Sequence, residues 1–162
     1  MANDSTAKNP SMSLVSGIRA AMELKPSKVA ITDTLGSRNY TELVLRIDKI
    51  TSGFITDLKL TVGSHAAIVA SNSIEYLEVV CGASQAGVAL ATINPSLSMV
   101  EIKSICDDAE ARVLFADAKS FERLQECSFN SVEKIITFGP EFEGWVSKID
   151  PVCTFPVISQ ED

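Results

Sequence analysis

Few side chains in this 162-residue chain could do chemistry. The one histidine, His65, opens an apolar run, and no serine or cysteine nucleophile stands at a telling distance from it. A triad would need a partner that cannot be named, so a histidine at the start of a strand is the plain reading. The cysteines are Cys81, Cys106, Cys127 and Cys153; no two form a CxxC pair, and one histidine does not complete a zinc set. They read as reduced, structural thiols, with Cys81 and Cys106 on the buried stripes of helices. Asp107 and Asp108 could attract a cation, but they fall at a helix carboxyl end and read first as a solvated turn. Trp145 could stack on a ligand or act as a lid over a sheet edge. There is no GxxxxGK[ST] loop and no GxGxxG after a strand, so no phosphate cradle of that kind is visible.

The elements around these residues follow a β-α alternation, set by the stretch from Ala66 to Pro95. Ala66 to Ala70 is apolar without alternation, as suits a parallel strand covered on both faces. Asn72 is placed to cap a helix with Glu75 in the capping-box position. That helix carries Ile74, Leu77 and Cys81 on one stripe, with Tyr76, Val80 and Ala83 beside it. Gly82, Ala83, Ser84 and Ala86 keep one side thin, for close approach to a sheet. Gly87 supplies a left-handed stop, and Val88 to Ile93 returns as a second strand ended by Asn94-Pro95.

Before this unit, Ser13 is placed to cap a helix bearing Leu14, Ile18 and Ala21, with Val15 and Met22 alongside, stopped by Pro26. Val29 to Thr32 and Arg38 to Tyr40 read as a hairpin around Leu35-Gly36-Ser37. Thr41 is placed to cap a helix whose core face is Leu43, Ile47, Ile50, Phe54 and Leu58. After it, Ser98 and Glu101 form a capping box for a helix with the stripe Ile102, Ile105, Cys106 and Ala109. Arg112 to Ala116 is a third strand, Asp117 caps a short helix carrying Phe121 and Leu124, and Lys134 to Phe138 is a fourth strand closed by Gly139-Pro140. Trp145 and Val146 suggest one short helical turn.

The expected fold is α/β: a three-layer, mostly parallel sheet with covering helices. Residues 1–12 read as a flexible tail, 13–149 as one α/β subdomain, and 150–162 as an extended tail. Ligands of such sheets sit beyond the carboxyl ends of the strands. Here that rim is Ser71-Asn72, Asn94-Pro95, Asp117 and Phe138-Gly139. It either binds a small molecule or merely caps helices and makes turns, and capping chemistry already accounts for these residue types.

Composition narrows the class. Hydrophobic residues make up 46%, enough for a real core. Fourteen Lys and Arg against 21 Asp and Glu give a net charge of −7, which argues against a nucleic-acid surface and a polybasic membrane anchor. No apolar run approaches the ~20 residues of a membrane span, and the amino end lacks a signal-peptide core. A cytoplasmic location is expected.

Five pieces in register resemble the amino-terminal part of the AMP-forming adenylating enzymes, the superfamily of acyl- and aryl-CoA synthetases, luciferases and peptide-synthetase adenylation domains. Pro26-Ser27-Lys28-Val29-Ala30-Ile31 resembles the family's opening "P-x-K-x-A", and Tyr40-Thr41-Glu42-Leu43 its "tYxEL". Ser71-Asn72-Ser73-Ile74-Glu75-Tyr76 is similar to "pNsxEy", and Ala86-Gly87-Val88 through Asn94-Pro95 to "AGxxxxxxNP". Glu101 to Phe115 resembles the helix-strand "E…l.da.arvlf". The likeness runs over roughly Leu14 to Gly139, and its "NP" form leans towards acyl-CoA synthetases. Ser71 stands where the family usually has proline, and Ser64 where it usually has aspartate.

This resemblance implies an amino-terminal segment of an AMP-dependent acyl-CoA ligase. Such enzymes activate a carboxylic acid with ATP and Mg through an acyl-adenylate, and many pass the acyl group to CoA. The family's phosphate loop, aromatic-Gly-x-Thr-Glu motif, ribose-binding aspartate and carboxy-terminal lysine have no match here. No catalytic, cofactor-binding or metal-binding residue is therefore assigned. The segment Ser159-Gln160-Glu161-Asp162 falls about where a family member enters its phosphate loop. The chain alone is expected to be inactive and to self-associate through apolar surface that a missing domain would cover. The alternatives are a free-standing, non-catalytic binding module and an independent flavodoxin-like cofactor domain. The latter is disfavoured by strand-end loops without a Ser/Thr/Gly cradle.

Overall fold

The computed structural model describes residues 14–152 and 154–156. The Ser13 cap, the 1–12 tail and Cys153 lie outside them. Six helices and six strands are described: α1 (Leu14–Leu24), β1 (Val29–Thr32), β2 (Ser37–Asn39), α2 (Tyr40–Thr56), β3 (His65–Val69), α3 (Ile74–Ala86), β4 (Ala89–Ile93), α4 (Met99–Asp108), β5 (Val113–Ala116), α5 (Ala118–Leu124), β6 (Lys134–Thr137) and α6 (Pro140–Ser147). β1 and β2 form an antiparallel hairpin, and the other four strands make one parallel sheet in the order β4-β3-β5-β6.

Both faces of the sheet are covered, giving the expected three layers. Ala66, Ile68, Val113, Phe115 and Ile136 face a core closed by α2, α3 and α6. Ala67, Val69 and Leu114 face a second core closed by Ile102 and Cys106 of α4 and Leu124 of α5. This double burial explains the unbroken apolar runs of β3 and β5. A third cluster of Val15, Leu43, Ile47 and Cys81, with Ala30 and Ile31 against it, seats α1 and the hairpin on α2 and α3.

Several local expectations shift. Asn39, not Thr41, caps α2: its side chain accepts from Glu42 N at 2.9 Å while Glu42 accepts from Asn39 N at 2.9 Å. Ser73, not Asn72, caps α3 through Tyr76 N at 3.1 Å. In α1 the buried residue is Val15, and Leu14 points outward. Ile105 of α4 is also exposed. The Trp145 turn is a two-turn helix, α6, opened by Pro140 in its first turn. Gly87 does stop α3, at φ 72°, with its N–H on Ser84 O.

The thin side of α3 serves two contacts, the expected one with the sheet and a second with α2. Val79, Ala83 and Ala86 meet the sheet, whereas Gly82 meets α2. A Cβ on Gly82 would lie 2.6 Å from Ile50 Cγ2, and Thr51 Oγ1 donates to Gly82 O at 3.3 Å. Gly53 of α2 is as tight on its other side, where a Cβ would lie 2.4 Å from Trp145 Cζ2. Gly144 of α6 has nothing within 4 Å of such an atom. Gly82→Ala therefore overpacks a fully buried junction and should lower unfolding free energy by about 1–3 kcal/mol in urea titrations. Gly144→Ala should raise it by up to about 1 kcal/mol through helix propensity. A Gly82→Ala protein as stable as its parent would contradict the close α2–α3 packing.

Candidate functional site

The chain reverses direction across the sheet at β3. β4 lies on one side of it and β5 on the other, so a crevice belongs beyond the carboxyl ends of β3 and β5. The residues there are Ser71 and Asp117, two of the expected rim positions. Asp117 spans them: Oδ2 accepts from Ser71 N at 2.8 Å and Oδ1 from Ser120 N at 2.8 Å, capping α5. Burial pushes this carboxyl up, but the Ser71 and Ser120 hydrogen bonds outweigh it and hold it below the ordinary aspartate range.

The other helix starts on this edge are filled in the same way. Asp33, from the hairpin turn, accepts from Ile74 N at 3.0 Å at the start of α3. Glu75 accepts from Gly139 N at 2.8 Å at the start of α6, where Gly139 adopts φ 99°. Ser98 and Glu101 cap α4 reciprocally, with Ser98 N on Glu101 Oε2 at 2.9 Å. Asn94 accepts from Ser96 N at 2.9 Å in a turn, and Thr137 N donates to Glu141 Oε2 at 3.0 Å. Such amides are where a phosphate would bind a sheet of this kind. At these positions the chain's own carboxylates and hydroxyls hold them, and the negative charge beside them opposes an anion. The edge as built does not fit a triphosphate.

A cavity of about 360 Å³ opens between the hairpin, α3 and α6, lined by Asp33, Leu35, Arg38, Glu75, Pro140 and Glu143 among others. Beneath it lies a charge cluster that motif reading missed. Glu78 of α3 is fully buried and accepts from Arg46 Nε of α2 at 2.8 Å. Arg46 also donates through both terminal nitrogens to Glu143 of α6 at 2.8 and 2.7 Å. Arg38 Nε of β2 lies 3.6 Å from Glu78 Oε1. The signal for this cluster is an acid four residues after Ile74 and four before Gly82, on a face that the helix buries.

The remaining candidates separate. His65 is exposed at the start of β3. Asp107 pairs with Lys103 and accepts from Asn130 N at 2.8 Å, and the Lys103 ammonium holds it below the usual range. Among the described residues no group of three or more His, Cys, Asp or Glu is placed to hold a metal ion. Trp145 is half-buried and packs on the core beside the edge strand β6: its ring lies 6.0 Å from Phe115 and 5.8 Å from Phe142, Nε1 donates to Asp57 at 2.9 Å, and it lines a cavity with Lys134 and Ile136. Cys81 and Cys106 are free and buried, and burial pushes both thiols up to about 11. Thiolate chemistry is disfavoured at both. No described helix is long and apolar enough to cross a membrane.

Asp117→Asn keeps the shape and removes the charge from the α5 cap and from the acceptor for Ser71 N, so it should cost about 1 kcal/mol at neutral pH. Because the folded carboxyl is held low, its contribution is full above the unfolded aspartate value of about 3.9 and fades as pH falls through the folded value. The parent-minus-variant difference in urea midpoints should thus shrink in acid. A difference constant from neutrality to pH 3 would contradict the assignment.

Known proteins place this fold. The family model described as "AMP-binding enzyme" matches residues 18–156. A 3-methylmercaptopropionyl-CoA ligase of Ruegeria pomeroyi is 34% identical over 98 residues, 59% of this chain and 18% of that protein. A benzoate CoA ligase of Burkholderia xenovorans superposes with a TM-score of 0.81 at 19% identity, over 93% of this chain and 31% of that one. A long-chain-fatty-acid-CoA ligase of Archaeoglobus fulgidus superposes at 0.74 with 24% identity, over 87% and 31%. The chain thus spans a third or less of the length of these relatives. From the match over most of its residues, the chain belongs to the AMP-binding enzyme family.

Proposed function

We propose that the chain is the amino-terminal part of an AMP-dependent acyl-CoA synthetase, contributing scaffold rather than reacting groups. The complete enzyme would activate a carboxylic acid with ATP and Mg through an acyl-adenylate and then form a thioester with CoA. The family match over residues 18–156 carries this reading. The likeness to a sulfur-containing acyl-CoA ligase at 34% identity supports the thioester step. The cytoplasmic location expected from the sequence stands as part of this proposal.

The filled helix ends support inactivity of the chain by itself. Asp33, Glu75 and Asp117 occupy amides at the sheet's carboxyl edge that could otherwise meet an anion. Self-association of the isolated segment, through apolar surface that the rest of such an enzyme would cover, belongs to the same reading; Leu24, Leu35 and Val100, at three separate places in the fold, are 81%, 86% and 78% accessible.

ATP–pyrophosphate exchange with the purified chain and a panel of aliphatic and aromatic acids should stay at the blank level. Exchange above blank would overturn the scaffold reading. Sedimentation with dye binding should show concentration-dependent association, and a cooperative monomer that binds no dye would count against the uncovered surface.

A further inference from the structure

We propose that Glu78 is a proton-operated latch: ionised, it draws Arg38 and the β1–β2 hairpin onto the α2–α3 face, and on taking up a proton it frees Arg38 while Arg46 stays with Glu143. The geometry is specific. Glu78 is the one carboxylate among the buried polar side chains described. Its Oε1 takes both available cations, Arg46 Nε at 2.8 Å and Arg38 Nε at 3.6 Å. Its Oε2 is buried with no hydrogen-bond partner. Ionisation therefore leaves charge on a buried oxygen that no described residue hydrogen-bonds, which protein interiors disfavour unless cations compensate.

Each element around Glu78 contributes to the balance. α2 supplies Arg46, and β2 supplies Arg38. α6 supplies Glu143, which holds Arg46 through two hydrogen bonds and adds like charge. On α3 itself stand Glu75, one turn earlier, whose Oε1 is engaged by Gly139 N, and the buried Cys81 thiol. Burial is the largest influence and pushes Glu78 up to about 7, against the pull of Arg46 and Arg38. The latch is therefore fastened above neutrality and open below it. Asp33, held low by the Ile74 amide first of all, stays ionised throughout and keeps the hairpin turn tethered to α3. Opening is thus a loosening of the hairpin at the Arg38 end, beside the cavity that Arg38 helps to line.

Local and global effects run in opposite directions. The folded carboxyl binds its proton more tightly than the unfolded one, so total stability rises as pH falls from about 7 towards the unfolded glutamate value of about 4.3. Hairpin attachment weakens over the same interval. Loss of one partly exposed ion pair corresponds to roughly a fivefold fall in amide protection.

The test combines the 13C carboxyl titration of Glu78 with pH-corrected hydrogen exchange of the hairpin amides, among them Asp33 N–H on Gly36 O, and of the amides where the hairpin joins α2, Tyr40 N–H on Lys28 O and Thr41 N–H on Pro26 O. In the parent chain, Glu78 should titrate near neutrality, and hairpin protection should rise roughly fivefold across the same midpoint. Glu78→Gln should hold the hairpin at its low-pH protection at every pH. Arg38→Met should keep a titrating Glu78 and lose the hairpin response. The proposal is overturned by Glu78 titrating in the ordinary carboxylate range, by hairpin protection flat through its titration, or by a response that survives in Arg38→Met. If Glu78→Gln does not fold, the parent titration and Arg38→Met decide alone.

Discussion

A parallel sheet must be buried on both faces, and in this chain the covering depends on how closely α2 can lie against α3. Ile50 and Thr51 meet the backbone of α3 at Gly82. That contact brings Phe54 to within 5.5 Å of Phe115 at the sheet centre. Phe142 and Trp145 of α6 then complete one aromatic layer, 6.4 and 6.0 Å from Phe115. Edge-to-face and tilted rings at such distances add specificity to the area they bury. Moving α2 outward would open this layer and, with it, the seat of α1 and the hairpin.

The carboxyl edge of the sheet follows from the same economy. Helices that start there leave amide donors in need of acceptors. The chain answers from within, with Asp33, Glu75, Ser98 and Asp117, and two of these acceptors reach across from other elements. Asp33 ties the hairpin to α3, and Glu75 ties α3 to α6. Caps thus double as ties between layers. An edge satisfied in this way suits the scaffold role proposed above.

Much of this was legible in the residues. The strands lacked alternation because both faces are buried, and Gly87 marked a helix end through its backbone preference, whereas Gly139-Pro140, legible as the stop of β6, also opens α6. The capping box at Ser98 and Glu101 was local and readable, whereas the Asn72 and Thr41 assignments failed by one or two residues. Neighbouring Ser73 and Asn39 offered the same chemistry, and only backbone geometry chooses between such candidates. The burial of Glu78 was harder to foresee. Its position on the buried face was periodic, but its cations come from β2 and α2, dozens of residues away, and tertiary placement has no local signature. The second role of Asp33 and Glu75, as acceptors for other helices, was hidden for the same reason.

The central claim is that the helix-end amides of the sheet's carboxyl edge are held by the chain's own acceptors. Titrating the 15N-labelled chain with Mg-ATP and following the amide resonances of Ser71, Ile74, Ser120 and Gly139 addresses this directly. The account predicts that all four stay in place to millimolar nucleotide. A saturable shift of these four together would show an edge open to phosphate and contradict it.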